Sequence, residues 1–297
     1  MHPVLIALPT LGLAIRAYDV LMVLAVLAGL VLAPYWGWRF EGLDWRRTLP
    51  ASLVVGLVIF VGARIHFVAT NWTRYAGDPL AALRFWAGGL HAPGGLVALV
   101  LAAPFVLRAF KVPALKFADI CTPTGGVILA IVRLGCFLNG CCFGSLCAWP
   151  WGVRFPRQSY VFLIHADQHL VEPTAVTSAP VHPLQLYFLA ASVGIALFGT
   201  WLERHKRFDG ECALAGVFLY SATSGALEFF RGDYPERVFW GPLPQLAWVT
   251  LTMAAVSAIA WGFAEYQHRA HAREFTREAA SAPRDAKSPE ANALATT

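Results

Sequence analysis

The run Val127-Ile128-Leu129-Ala130-Ile131-Val132 passes directly into Arg133-Leu134-Gly135-Cys136-Phe137-Leu138-Asn139-Gly140-Cys141-Cys142-Phe143-Gly144. A long apolar stretch therefore ends on an arginine, followed by an asparagine, three glycines and three cysteines. A charge at the end of a membrane-length segment is costly, which makes it a functional-site candidate. Glycines this dense let a backbone turn sharply or approach a ligand closely. The combination predicts a helix that crosses a bilayer and delivers an anion-reading site to its surface.

The rest of the chain agrees with a membrane reading. Apolar residues make up 57% of the 297 and charged residues only 14%, against about 25% charge in a soluble domain. Mean hydropathy is +0.55. A transmembrane helix needs about 20 mostly apolar residues. The chain offers about seven such segments, near 18–36, 50–70, 88–108, 117–138, 183–203, 211–230 and 243–264. The predicted fold class is an all-α polytopic membrane protein. The fourth and sixth segments carry Asp119, Thr122, Thr124 and Arg133, and Ser221, Thr223, Ser224 and Glu228, and are predicted to face an interior cavity. The first segment lacks a basic leader and a small-residue cleavage site, so it is expected to remain as an anchor.

The net charge of +5 sets topology; it does not imply nucleic acid. With the amino terminus outside, the inner segments hold Arg39, Arg46, Arg47, Arg108, Lys111, Lys116, Arg204, Lys206 and Arg207, and the tail adds Arg269, Arg273, Arg277, Arg284 and Lys287. The outer segments hold fewer: Arg16, Arg64, Arg74, Arg84, Arg154, Arg157, Arg231 and Arg237. Basic loops stay inside, so the expected topology is N-out/C-in. Residues 1–265 form one membrane domain with an outer loop at 145–182. The polar tail 266–297 is expected to begin as a helical extension in the cytoplasm and then become disordered. The apolar parts of the outer loop, Trp149 to Phe155 and Tyr160 to Ile164, are expected to rest at the membrane surface, where Trp and Tyr are favoured.

This topology gathers Tyr18, His91, Arg133, Asn139, His182, Glu228 and Arg231 at one face. Guanidinium forks match phosphate geometry, so the group reads as a phospholipid-headgroup site. Each member also has a plainer reading. An arginine at a helix end snorkels, Pro183 suits a first helical turn, Gly94-Gly95 suits close packing, and Glu228 and Arg231 form an i,i+3 pair. Cys136, Cys141, Cys142 and Cys147 fall within twelve residues at the face expected to be oxidising, with Cys121 and Cys212 elsewhere. Their C-x4-C-C-x4-C spacing is not a strong zinc pattern. A disulfide comes first among their uses there, inert thiols second, a metal or redox role third. Spacing alone does not fix connectivity. No metal and no cofactor is expected.

In chain order these residues resemble one family, prolipoprotein diacylglyceryl transferase, over about residues 12–262. Ile15-Arg16-Ala17-Tyr18 is similar to the family's Arg-Trp-Tyr-Gly, and Gly62-Ala63-Arg64-Ile65 to its Gly-(Gly/Ala)-Arg element. Asp78-Pro79, Trp86-Ala87-Gly88-Gly89-Leu90 and Gly94-Gly95-Leu96 resemble its glycine-rich approach to the third helix. Asp119 holds the place of an aspartate ahead of the fourth helix's glycines. Arg133 to Gly140 resembles Gly-Arg-x-Gly-Asn-Phe-x-Asn-Gly-Glu. Pro150-Trp-Gly-Val, His182-Pro-Leu-Gln-Leu-Tyr187, Glu228-Phe-Phe-Arg231 and Gly241 to Gln245 complete the set. Four positions depart: Pro93 replaces a histidine, Cys136 an asparagine, Cys141 a glutamate and Phe188 a glutamate.

The resemblance implies an activity: transfer of a diacylglyceryl group from phosphatidylglycerol to the lipobox cysteine thiol of a prolipoprotein, with glycerol phosphate leaving. Its partners would be phosphatidylglycerol, the prolipoprotein signal peptide and the membrane, with no nucleic acid. It implies the bacterial plasma (inner) membrane, a multi-pass chain and a site facing the periplasm. The attacking species is a thiolate. Arg133 and Arg231 would then serve catalysis by holding phosphate, and His91 would be the base, with His182 its competitor. Tyr18, Arg64, Asn139, His182 and Glu228 would bind substrate. The departures leave an alternative, a divergent paralogue of the same fold that binds or senses lipid or does thiol redox chemistry.

Overall fold

The computed structural model describes residues 4–8, 13–85, 88–233 and 239–281, with backbone alone for residues 4–8, 13–15 and 275–281. Among the described residues seven helices are long and apolar enough to cross a bilayer. They are α1 (Ala17–Glu41), α2 (Trp45–Thr70), α4 (Ala92–Ala109), α5 (Ala114–Asn139), α7 (Leu184–Glu203), α8 (Glu211–Leu227) and α9 (Gln245–Ser281). A 3₁₀ turn, Glu228–Phe230, prolongs α8. The short helices α3 (Trp72–Tyr75) and α6 (Tyr160–Asp167) lie between spans. The helical class holds, with two additions. Hairpins β1 (Val4–Leu8) with β2 (Leu13–Arg16) and β3 (Phe239–Trp240) with β4 (Leu243–Pro244) precede α1 and α9. The expected helical extension is present: α9 runs unbroken to Ser281. The expected disordered end, from 282, lies outside the described residues, as do Trp86, Ala87 and Arg237.

Local chemistry sets the helix ends. Asp44 accepts from the Arg46 N–H at 3.0 Å and starts α2, the usual use of an aspartate at that position. The third span begins at Ala92, a few residues later than its hydropathy predicts, because Gly88 and Gly89 take φ of +79° and +87°, outside the helical region. Close helix contacts use small residues, as they do in bilayers. A Cβ at Gly126 of α5 would lie 2.6 Å from the Ala196 backbone nitrogen of α7. Val31, Leu57, Phe105, Leu197 and Ile259 point outward, each at least half exposed, the surface a hydrocarbon environment accommodates.

A polar network marks one end of the bundle. There Lys206, beyond α7, reaches Glu41 of α1 and Asp119 of α5, both at 2.5 Å. Asp119, fully buried, also accepts from the Gly210 and Ala213 N–H groups at 2.7 and 2.9 Å. It thereby supplies, from α5, the cap that the start of α8 lacks in its own sequence. Burial opposes the charge on Lys206, but Asp119 and Glu41 outweigh it and raise its pKa. Arg207 bridges Glu211 of α8 and Glu265 of α9, which brings the last helix to the same end. Removing one partner of a buried ion pair leaves the others uncompensated, at a cost of about 3–5 kcal/mol. Lys206→Met is therefore expected to lower the unfolding free energy in detergent by about that amount, measured by denaturant titration; an unchanged midpoint contradicts this reading of the network.

The loop 145–182 does not simply spread over a membrane surface. Phe143, Phe155, Val161 and Val181 form a core of their own, with Phe137, Val153 and Ile164 packed against it. Isolated bridges tie Leu146 and Val153 to Val181, and Pro156 to Thr177. Trp149 and Trp151 stack at 5.2 Å and remain exposed. The expected apolar stretches thus divide between an inner core and an outer aromatic pair.

Candidate active site at one end of the bundle

The end opposite Lys206 carries most of the residues singled out in the sequence. α5 stops at Asn139 because Gly140 turns left-handed, φ +71°, and its N–H returns to the last turn. The Cys141 N–H then bonds the Cys136 carbonyl at 3.1 Å. Cys142 also takes a positive φ, +56°, uncommon for a residue with a Cβ. These two reversals bring the sulfurs of Cys136, Cys141 and Cys142 within 4.8 Å of one another. All six cysteines are free thiols, so the expected disulfide is not formed. Cys147 is buried apart from the trio, its N–H on the Pro180 carbonyl.

Phe143-Gly144-Ser145 then threads between two other segments. Gly144 donates to the His182 carbonyl at 3.0 Å, Ser145 to the Phe230 carbonyl at 2.7 Å, and Gly232 to the Phe143 carbonyl at 3.1 Å. A Cβ at Gly144 would lie 2.6–2.8 Å from His182 and from the Phe230 carbonyl. That is why glycine stands there: two backbones close on it from opposite sides. The end of α5, the start of α7 and the end of α8 are thereby joined.

Six of the sequence candidates meet here. The Arg133 guanidinium lies 4.2 Å from the centre of the Phe188 ring, a cation–π contact at a position where the resemblance has a glutamate. No carboxylate among the described residues lies within ion-pair distance of Arg133. Arg231 is committed differently: its Nε and Nη2 donate to both oxygens of Asp233 at 2.8 and 3.1 Å, and Glu228 lies 3.8 Å away. Hydrogen bonds with Cys136 and Cys141, with the charges of Arg133 and Arg231 behind them, hold the Cys142 thiol far below its ordinary pKa despite burial. Asn139 is the last residue of α5, two before Cys141. Tyr18 of α1 packs on Gly135, 3.4 Å from where a Cβ would sit. His182 is nearly buried, with Nδ1 3.1 Å from the Tyr187 hydroxyl and its ring edge-on to Phe230.

Two candidates are placed elsewhere. Arg64 is buried, and its donors reach the carbonyls of Ala81, Ala82, Arg84, Gly88 and Gly89 at 2.5–3.3 Å. A guanidinium has five N–H groups, and those of Arg64 are turned to these carbonyls. Arg64 thereby ties α2 to the loop before α4. Lysine has three donors and no fork, so Arg64→Lys is expected to expose residues 79–85 to limited proteolysis; protection equal to the parent's contradicts this role. His91 packs on α2, its N–H on the Ala63 carbonyl at 3.1 Å, its Nδ1 3.3 Å from Thr70 Oγ1, and its ring beside His66 and Phe67. No described contact joins it to Arg133 or to the cysteines. The sequence reading passed over His66, two residues after Arg64 on α2, whose Nδ1 is buried without a hydrogen-bond partner among the described residues. It also passed over Gln185, fully buried, whose Nε2 donates to the Cys141 carbonyl at 2.7 Å; its place in the His182–Tyr187 box was the available signal.

Comparison with known proteins agrees with this order of elements. The sequence model of a family described as prolipoprotein diacylglyceryl transferase matches residues 3–263. Three similar proteins are named phosphatidylglycerol–prolipoprotein diacylglyceryl transferase. That of Geobacter sulfurreducens is 32% identical over 61% of this chain and 62% of its own length. That of Synechococcus sp. strain CC9902 is 29% identical over 77% of this chain and 79% of its own. That of Parasynechococcus marenigrum is 32% identical over 78% and 80%. The matched region thus spans just under two thirds of the Geobacter protein and about four fifths of the other two.

Proposed function

The chain belongs to the prolipoprotein diacylglyceryl transferase family, and we propose that it transfers a diacylglyceryl group from phosphatidylglycerol to the lipobox cysteine thiol of a prolipoprotein. The observation that carries this reading is the convergence of the ends of α5, α7 and α8, with Arg133 and Arg231 both at that end. Arg133 holds the phosphate of the lipid, because its guanidinium lies on an aromatic face with no described carboxylate competing for its donors. Arg231, fixed by Asp233 and Glu228, supplies positive charge and positions the loop. Tyr18, Asn139 and His182 line the headgroup side. His91 and Arg64 support α2, α4 and the loop between them.

The site faces the periplasm of a bacterial plasma (inner) membrane, with residues 266–297 in the cytoplasm. The excess of Lys and Arg at the Lys206 end supports that orientation. The test is complementation of a strain depleted of its own transferase, combined with a reporter fused after residue 290. Growth together with a cytoplasmic signal is expected. A periplasmic signal contradicts the orientation, and failure to complement by an inserted chain contradicts the activity. The convergence of three thiols favours one second reading, thiol redox chemistry on the same fold, for which complementation would fail while a disulfide cycles among those cysteines.

A further inference from the structure

Cys136, Cys141 and Cys142 stand partly where the family has an asparagine and a glutamate, and their sulfurs lie within 4.8 Å of one another. We propose that these three cysteines bind one soft divalent metal ion, zinc by the chemistry of the ligand set, leaving the fourth position to the acceptor cysteine's sulfur. The second half rests on the transferase reading above.

Geometry comes first. Zinc–thiolate bonds of about 2.3 Å put two sulfurs of a tetrahedron about 3.8 Å apart, so three sulfurs already this close need only a small contraction. A disulfide would use two of them and leave the third unmatched, whereas a metal uses all three. The local backbone accounts for the convergence: Gly140 reverses the chain, and Cys142, at positive φ, turns its side chain away from the course a β or helical residue would follow. This explains why the linear spacing does not read as a zinc pattern. Thiolate sulfur selects zinc over the harder divalent ions, and three protein ligands with one open position are the pattern of catalytic zinc. A dication with three thiolates carries one net negative charge, which suits an end of the bundle that also holds Arg133 and Arg231. Ligand placement has support behind it as well, because Gln185 fixes the Cys141 carbonyl. Such outer partners orient a metal's ligands.

The site would activate the acceptor thiol without a base at the Pro93 position. Pro93 cannot take a proton, and His91 has no described contact with the cysteines. A thiol that coordinates a metal gives up its proton, here to solvent. The metal-held sulfur then attacks the glyceryl carbon that bears the phosphate ester. A C–S bond forms from a sulfur lone pair, the C–O bond breaks, and its electron pair leaves on glycerol phosphate. Nothing is oxidised or reduced.

The experiment uses the full chain, purified in detergent without chelator. Elemental analysis is expected to find one equivalent of zinc per chain, lost in Cys136→Ser, Cys141→Ser and Cys142→Ser and kept in Cys147→Ser. With cobalt in place of zinc, the parent is expected to show a thiolate-to-cobalt charge-transfer band. A lipobox peptide should change that band, and the same peptide with its cysteine replaced by serine should not. Zinc absent from the parent, or equal in the serine variants, overturns the site. A disulfide among the three cysteines found by mass spectrometry of the parent also overturns it, in favour of redox chemistry. A cobalt band unaffected by the peptide overturns the open position. If metal and band shift are present but no thioether forms with phosphatidylglycerol, the transferase reading fails while the metal site stands.

Discussion

Arg133→Ala is expected to lower kcat/KM for thioether formation by about 100- to 1,000-fold, the usual cost of removing one fixed donor at developing charge. Arg133→Lys is expected to fail nearly as badly. An ammonium has no planar fork to hold two phosphate oxygens, and it sits less well on the Phe188 ring. Neither variant should lose much stability, because Arg133 holds no described ion pair whose loss would strand a buried carboxylate. The two arginines therefore separate. Arg231→Lys gives up the bidentate contact with Asp233 and should lower thermal stability along with activity. The check is steady-state transfer from phosphatidylglycerol to a lipobox peptide, beside melting curves of the same preparations. Normal turnover in Arg133→Lys would leave this arginine only an interfacial anchor.

Gly144→Ala carries the second large effect. One added methyl would meet His182 and the Phe230 carbonyl at 2.6–2.8 Å, and both neighbours are held by backbone hydrogen bonds. Overpacking of this kind costs about 1–3 kcal/mol, which an inserted bundle survives. The activity loss should exceed what the stability loss accounts for, because the displaced strand joins the cysteine loop to Arg231. A transfer rate reduced at least about tenfold, equivalent to about 1.4 kcal/mol, is expected from a protein that still inserts and melts cooperatively. Full activity in Gly144→Ala would show that this junction does not set the site.

The helices were legible because each apolar run exceeds what a soluble element needs, and Arg133 was legible because a charge stands out against such a run. Proximity was legible only in part. Tyr18, Asn139, His182, Glu228 and the two arginines share a face by simple alternation of spans, and alternation can be counted. Arg64 shares that face too, yet its guanidinium turns to five carbonyls of the following loop; a Gly-Ala-Arg motif reads the same whether the arginine faces a lipid or its own backbone. His91 was assigned by nearness in sequence to Pro93, whereas the fold sets its ring against His66 and Phe67. The cysteine convergence depends on left-handed turns at Gly140 and Cys142. The first is suggested by a glycine; the second, at a cysteine, carries no sequence signal. The Lys206 cluster joins residues from α1, α5 and the α7–α8 turn that only tertiary packing brings together.

The most direct measurement is the mass of a lipobox peptide incubated with the purified full chain and phosphatidylglycerol. The account predicts a mass increase equal to one diacylglyceryl group, stable to mild base at the thioether and absent when the peptide cysteine is serine or when Arg133 is alanine. An unmodified peptide in the presence of folded, lipid-supplied protein, or an equal gain with the Arg133→Ala chain, would contradict it.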